Sequence, residues 1–206
     1  MLKGYDFYHE EYAGIRKSGF PADADFLIFK ATEGKRFKDN RAGLFADMAF
    51  KFFAEQEKPQ LLGFYHYARP EINIGKAGAI AEADSFIETM TRLDMVGNAI
   101  FALDVEDKAL KITSIDSWCK TWCKRVTNQL GVQPLIYVQY SAIDKFSKCA
   151  EDGVDLWLAK YGAKPTRVKP FPYIALWQYT SKPYDTNKFN GTATQWKRYA
   201  AVNLNR

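Results

Sequence analysis

Histidine and cysteine are scarce in this chain of 206 residues, which holds two histidines, His9 and His66, and three cysteines, Cys119, Cys123 and Cys149. An odd cysteine count without framework spacing argues against a disulfide scaffold. Cys119 and Cys123 stand four apart on an expected helix, with both histidines far off in sequence, so free thiols are expected rather than a zinc site. No metal and no cofactor are expected. Long apolar runs are also missing. Stretches such as Leu61 to Ala68 and Ala99 to Leu103 fall far short of the roughly 20 residues that span a bilayer, so no membrane partner is expected. There is no Lys/Arg-rich run, no zinc-finger pattern and no RRM signature, and the net charge of +5 points to anionic partners in general rather than to nucleic acid. The glycine-rich phosphate loops of nucleotide-binding sheets are absent as well. Met1-Leu2-Lys3-Gly4-Tyr5-Asp6 lacks the charged-then-apolar pattern of a secretion signal. A role outside the cell would then require release by another route or a signal already removed.

What the chain does have is an ordinary globular balance, with 47% apolar and 26% charged residues, and enough length to bury a core without staples. A single domain over residues 1–206 and a monomer are expected, with no internal repeat or low-complexity linker. Five Trp, twelve Tyr and fifteen Phe mean a large core or a cleft that stacks flat ligands, and composition does not choose between them.

Apolar runs of strand length recur at Leu2–Phe7, Phe26–Ala31, Leu61–Tyr67, Ala99–Val105, Pro134–Val138, Leu156–Ala159 and Tyr173–Trp177. Between them Arg41–Glu55, Lys76–Arg92, Ser114–Leu130 and Ala142–Cys149 carry apolar residues at three- and four-residue spacing. Such βα alternation implies a parallel sheet with helices outside, either open and doubly wound or closed into a barrel. Without phosphate loops, the barrel is favoured. Gly162–Pro172 is a Pro- and Lys-bearing loop with no helix between the strands that flank it. The expected fold class is therefore α/β, an irregular TIM-like β/α barrel with fewer helices than strands. Thr194–Ala201, bearing Trp196 and Tyr199, reads as a closing helix.

A β/α barrel keeps its chemistry at the C-terminal ends of its strands. Those ends here are rich in acidic and aromatic residues: Asp6, Lys30 to Gly34, Tyr65 to Tyr67, Asp104 to Asp107, Tyr137, Lys160-Tyr161 and Trp177 to Tyr179. Asp104 and Glu106 carry the sharpest signal. Residues two apart in an extended segment point to one face, with alpha carbons about 6 to 7 Å apart. Two carboxylates in one pocket raise at least one pKa, which keeps an acid protonated near neutral pH and able to donate to a leaving group. That is glycosidase chemistry. An isolated DxE is more often a capping aspartate and a solvated glutamate, but the apolar strand Ala99 to Leu103 before it would deliver the pair to a barrel mouth.

Six stretches in order along the chain resemble glycoside hydrolase family 25, the Chalaropsis-type lysozymes found among fungal and bacterial secreted enzymes and phage endolysins. They are Lys30 to Gly34, Gly63 to Arg69, Leu103 to Glu106, Leu135 to Tyr137, Leu156 to Tyr161 and Trp177 to Ser181. The resemblance implies an irregular β/α barrel that hydrolyses the β-1,4 bond between N-acetylmuramic acid and N-acetylglucosamine in peptidoglycan, acting outside the cell or at the wall. It also implies that four carboxylates line one mouth: Asp6 from the first strand, Asp104 and Glu106 from the DxE pair, and Asp185 from the family's last acidic motif. Glu106 would be the proton donor. No separate cell-wall-binding module is expected.

Further site residues rest mostly on the resemblance. Tyr67, Tyr137 and Gln178 would meet an N-acetyl group, and Tyr65 and Trp177 would stack on sugar faces or fill the barrel top. Lys30 beside Glu33 would form a rim ion pair or a plain surface pair. His66, between two tyrosines on a strand, reads as a satisfied core or rim histidine rather than a proton shuttle. Two departures from the family pattern stand out: Phe7 to Tyr12 replaces the usual residues after the first aspartate in a shortened loop, and Thr180 to Tyr184 replaces a glycine-bearing hairpin. Both would lower one wall of the cleft. A catalytically weak or inactive glycan-binding barrel is the alternative that these departures allow.

Overall fold

Period-two alternation decides which way each strand faces. In Phe26-Leu27-Ile28-Phe29, the first and third side chains belong to one buried apolar cluster and the second and fourth to another, because successive side chains leave a strand on opposite faces. The structure, a computed structural model, describes residues 1–203. Its strands are β1 (Leu2–Phe7), β2 (Phe26–Glu33), β3 (Phe37–Lys38), β4 (Leu62–Tyr67), β5 (Ala99–Asp104), β6 (Leu135–Gln139), β7 (Leu156–Ala159), β8 (Ile174–Thr180) and β9 (Thr186–Phe189). Its α-helices are α1 (Tyr12–Ser18), α2 (Ala42–Glu55), α3 (Gly75–Arg92), α4 (Ile115–Leu130), α5 (Ser147–Glu151) and α6 (Ala193–Ala200).

Eight of these strands close into a barrel. In ring order β1, β2, β4, β5, β6, β7 and β8 pair in parallel, and β9 closes the ring antiparallel to both β8 and β1. β3 is a short antiparallel addition to β2 outside the ring. The α/β barrel with fewer helices than strands is thus the fold that the alternation implies, and β7 and β8 are joined without a helix.

The inward cluster contains Phe26, Ile28, Ile100, Ala102, Leu135, Leu176 and Phe189. It fills the barrel as a packed core, not a pore. Gly63 makes room within it, since a Cβ there would lie 2.9 Å from Ile100 Cγ1 and 3.0 Å from Ile28 Cγ1. α6 plugs the end where the parallel strands begin. Its Trp196 ring stands 4.5 Å from Phe26 and donates from Nε1 to the Leu62 carbonyl at 3.2 Å. The outward cluster packs the strands on α2, α3 and α4 through residues such as Phe29, Phe45, Phe64, Phe86 and Trp122.

Three elements escape the sequence patterns, and one is broken. α1, β3 and β9 are too short to show a period. The helix expected at Ala142–Cys149 is a 3-10 turn over Tyr140–Lys145 followed by α5. The fully buried Phe146 between them turns into the core. All three cysteines are free and buried.

Candidate active site

At the end opposite α6, the strands finish around a cleft of about 320 Å³. Asp104 lines it from the end of β5, Glu106 from two residues beyond, Asp6 from β1, and Asp185 from the residue before β9. Because β5 and β9 are four places apart in a ring of eight, Glu106 and Asp185 stand across the mouth from one another. The strand expected at Ala99–Val105 is one residue shorter. β5 ends at Asp104, the Val105 N–H donates to the Tyr137 carbonyl at 3.0 Å, and Asp107 takes a left-handed φ of 51°. Both carboxylates nevertheless enter the same cleft.

Crowding and burial act on all four acids. Burial first, then the like charges of Asp107 and Asp185, push Glu106 up to about 7 against the pull of Lys30. Asp104 lies well above the usual carboxylate range, through burial and then Glu106, and its Oδ1 is buried with no hydrogen-bond partner among the described residues. Asp6 is raised by burial and then by Asp185, with the Asn187 and Gln178 amides opposing the shift. Burial raises Asp185 too. In each neighbouring pair, Asp104 with Glu106 and Asp6 with Asp185, crowding and burial raise the proton affinity of the pair. One acid therefore keeps its proton at a pH where isolated carboxyls would be ionised, while its partner can carry the charge.

Around Asp6 the donors are fixed in turn by others. The Asn187 amide donates to Asp6 Oδ2 at 2.6 Å and the Gln178 amide donates to the same oxygen at 3.1 Å. Trp157 Nε1 donates to Asn187 Oδ1 at 2.8 Å, and the Tyr137 hydroxyl donates to Gln178 Oε1 at 3.0 Å. Each amide is thereby oriented with its nitrogen toward the carboxylate. The other wall is built on Lys30, whose Nζ sits 2.7 Å from Glu33 Oε2 and 4.7 Å from the centre of the Tyr67 ring. Arg69 also pairs with Glu33. Tyr67 donates its hydroxyl to Asp107 at 2.8 Å.

Lys30, Tyr65, Tyr67, Tyr137 and Gln178 all line the cleft with the four acids. Two sequence candidates do not. Glu33 stands behind Lys30 as its ion partner, outside the cleft lining. Trp177 belongs to the outward cluster and donates to the Lys160 carbonyl at 2.8 Å. The reason is a bulge in β8: Ile174 faces outward, Ala175 and Leu176 both join the inward cluster, and the extra residue reverses the phase. Gln178 then faces in, and Trp177 faces out. The indole that lines the cleft is Trp157.

Tyr8 and Trp157 line the cleft, and Asn187 supports it, though none is a candidate from sequence, and Tyr161, named there only as a strand end, lines it too. Trp157 and Tyr161 lie within a stretch that carries the family resemblance, so their inward phase was the missing information. Glu11, in the turn after β1, accepts from the Tyr8 N–H at 3.0 Å and is pushed up to about 7 by burial, with Asp185 and Glu10 adding like charge. His66 is on the outward face, fully buried, with Nε2 2.8 Å from Glu82 and Nδ1 2.7 Å from the Thr32 hydroxyl. It touches none of the cleft.

Comparison with known proteins agrees with this geometry. The model of glycosyl hydrolases family 25 matches residues 6–187, from Asp6 to Asn187. Lysozyme M1 of Streptomyces globisporus is 26% identical across 94% of this chain and 69% of its own length. The N,O-diacetylmuramidase of Arthroderma benhamiae is 24% identical across 97% and 86%. Among solved structures, the muramidase of Trichobolus zukalii superposes with a TM-score of 0.76 at 25% identity, covering 97% of this chain and 99% of that one. With the family match running through nearly the whole barrel and all four cleft carboxylates inside it, the chain belongs to glycosyl hydrolases family 25.

Proposed function

We propose that this glycosidase is a muramidase, cleaving the β-1,4 bond between N-acetylmuramic acid and N-acetylglucosamine in bacterial peptidoglycan, with Glu106 as the proton donor. The observation that carries the assignment is the Glu106 carboxyl, held near pH 7 by burial at the mouth of a cleft with three further acids. A carboxylic acid still protonated at neutral pH delivers a proton to the glycosidic oxygen as the bond breaks. Asp104 shares that wall, and the like charge of Glu106 adds to burial in holding the Asp104 carboxyl well above the usual range.

Positive charge that develops at the anomeric carbon is met from the opposite wall by Asp6 and Asp185. The Asn187 and Gln178 donors keep Asp6 in place and favour its ionised form, and a preorganised carboxylate costs no rearrangement when charge appears. Tyr65, Tyr67 and Tyr137 supply ring faces and hydroxyls for the sugars and their N-acetyl groups. Trp157 holds the floor, edge-on to Tyr137 with ring centres 4.9 Å apart.

Digestion of purified peptidoglycan followed by borohydride reduction and sugar analysis tests the assignment. Reduced muramic acid at the new ends is the expected product. Reduced glucosamine, or release of peptide or acetate alone, would replace it with another bond specificity, and binding without new ends would reduce the barrel to a glycan-binding module.

A further inference from the structure

Charge is segregated on this molecule. The cleft is lined by four carboxylates and by Lys30. On the outer flank, α3, α4 and the start of α5 border a groove of about 500 Å³ that Lys76, Lys120, Lys124, Arg125 and Lys148 line, with no carboxylate among the lining residues. Nearby acids cancel only part of this. Lys120 and Lys124 share the single carboxylate of Asp152 at 2.8 and 3.1 Å, and Arg125 meets Asp84 through Nε at 2.7 Å. Lys148 Nζ donates to a neutral hydroxyl, Ser117 Oγ, at 2.7 Å. Lys76 is exposed and forms no ion pair among the described residues.

The groove is elongated. Ser117, Lys120, Thr121, Lys124, Arg125 and Asn128 recur at three- and four-residue spacing along one face of α4, a face about 16 Å long at 1.5 Å rise per residue. Ammonium groups and a guanidinium fork in a row suit a linear ligand carrying repeated acceptor-only anions, and phosphate is the anion both cation types bind well. Among the described residues no aromatic side chain lines the groove, so they offer no platform for stacking bases, which single-stranded nucleic acid would use. The acidic mouth would repel the same polymer, leaving the flank as its place of contact.

We propose that the groove beside α4 is a docking surface for a phosphodiester polymer of the bacterial wall, a poly(glycerol phosphate), which tethers the enzyme to its substrate while the acidic cleft works on the glycan. This rests on the reading that the chain acts at the wall. Its binding readout uses no glycan, so it fails or succeeds apart from that reading.

The probe is fluorescently labelled poly(glycerol phosphate), titrated with the whole chain at about 0.05 M salt, where surface charges still act across the groove. Wild type is compared with Lys76→Glu/Lys124→Glu/Lys148→Glu and with a charge-matched control on other faces, Lys17→Glu/Lys51→Glu/Lys197→Glu. The groove variant should lose at least roughly tenfold in affinity, and the control no more than about threefold, with cleavage of soluble glycan fragments unchanged in both. A milder variant, Lys76→Gln/Lys148→Gln, touches no ion pair and should lose about threefold. Equal losses in the groove and control variants, no binding by wild type, or equal binding of polyglutamate would overturn the proposal. Tighter binding of oligothymidylate than of the poly(glycerol phosphate) would overturn it in favour of nucleic acid.

Discussion

Trp157 donates its indole N–H to Asn187 Oδ1 at 2.8 Å, and this bond determines that the Asn187 nitrogen faces Asp6. An asparagine amide has one donor end and one acceptor end. With the acceptor end occupied by the indole, the donor end is left for the carboxylate. Trp157→Phe keeps the ring and removes that constraint, leaving a buried acceptor unpaired. The kcat on soluble glycan should fall about 2- to 10-fold, in line with the net worth of one hydrogen bond. Trp177→Phe should stay within about twofold, because Trp177 lies outside the cleft. Steady-state kinetics on the two variants checks this, and the reverse order would return Trp177 to the substrate.

Glu106→Gln removes the transferable proton and keeps the shape. Turnover should drop by roughly 10²-fold or more. Stability should move the other way, with a sign set by pH. The Glu106 carboxyl is raised from its ordinary 4.5 to about 7, so the folded state favours the protonated form. The stability this contributes is complete below about 4.5 and is lost as pH rises through about 7. Glutamine stays neutral throughout. Melting curves should therefore show the variant more stable than wild type at pH 8, by on the order of 1 to 3 kcal/mol, and nearly equal at pH 4.

The pH–rate profile should lose activity on its basic limb near the Glu106 value of about 7. Glu11 is also held near 7, so the limb alone does not identify the acid. In Glu11→Gln the basic limb should persist with activity retained. Disappearance of that limb in Glu11→Gln would move the proton donor to the turn after β1.

His66 and Glu82 test the opposite expectation, an effect on folding without one on chemistry. Both side chains are fully buried, and the Glu82 carboxylate also accepts from the Arg69 N–H at 3.0 Å and from the Asn73 amide at 2.6 Å. His66→Leu deletes one of its donors and should cost roughly 3 kcal/mol in denaturant unfolding. The kcat of the folded fraction should match wild type.

Acid catalysis by carboxylates requires no cation. Activity measured after EDTA treatment should equal that of untreated enzyme, whereas loss on chelation and recovery on adding zinc would point to a metal-assisted reaction.

Local pattern was enough to place most of the barrel. Apolar runs of strand length such as Ala99 to Leu103 and amphipathic helices such as α4 show their character in consecutive residues, and hydrophobic burial acts on such local patterns directly. The acids were legible for a related reason: Asp6 and Asp104 end apolar strands, and Glu106 follows two residues later, at the place where a barrel collects polar side chains. β9, with four residues and a polar sequence, had no such pattern. Its role as the strand that closes the ring exists only through its partners β1 and β8.

Phase and partnership were decided by tertiary structure alone. One extra residue in β8 turns Gln178 inward and Trp177 outward, and a bulge forms from pairing between strands, not from the residues within one. Asp6 and Asn187 are 181 positions apart along the chain and meet at 2.6 Å. Asp107, the neighbour in sequence, adds like charge to Glu106, but the burial that raises its proton affinity most and the charge of Asp185 across the mouth exist only once the ring has closed. Composition set the sum of the charges at +5. Folding separated them into an acidic mouth and a basic flank, because strand ends gather at one end of a barrel while the outer helix faces lie around its side.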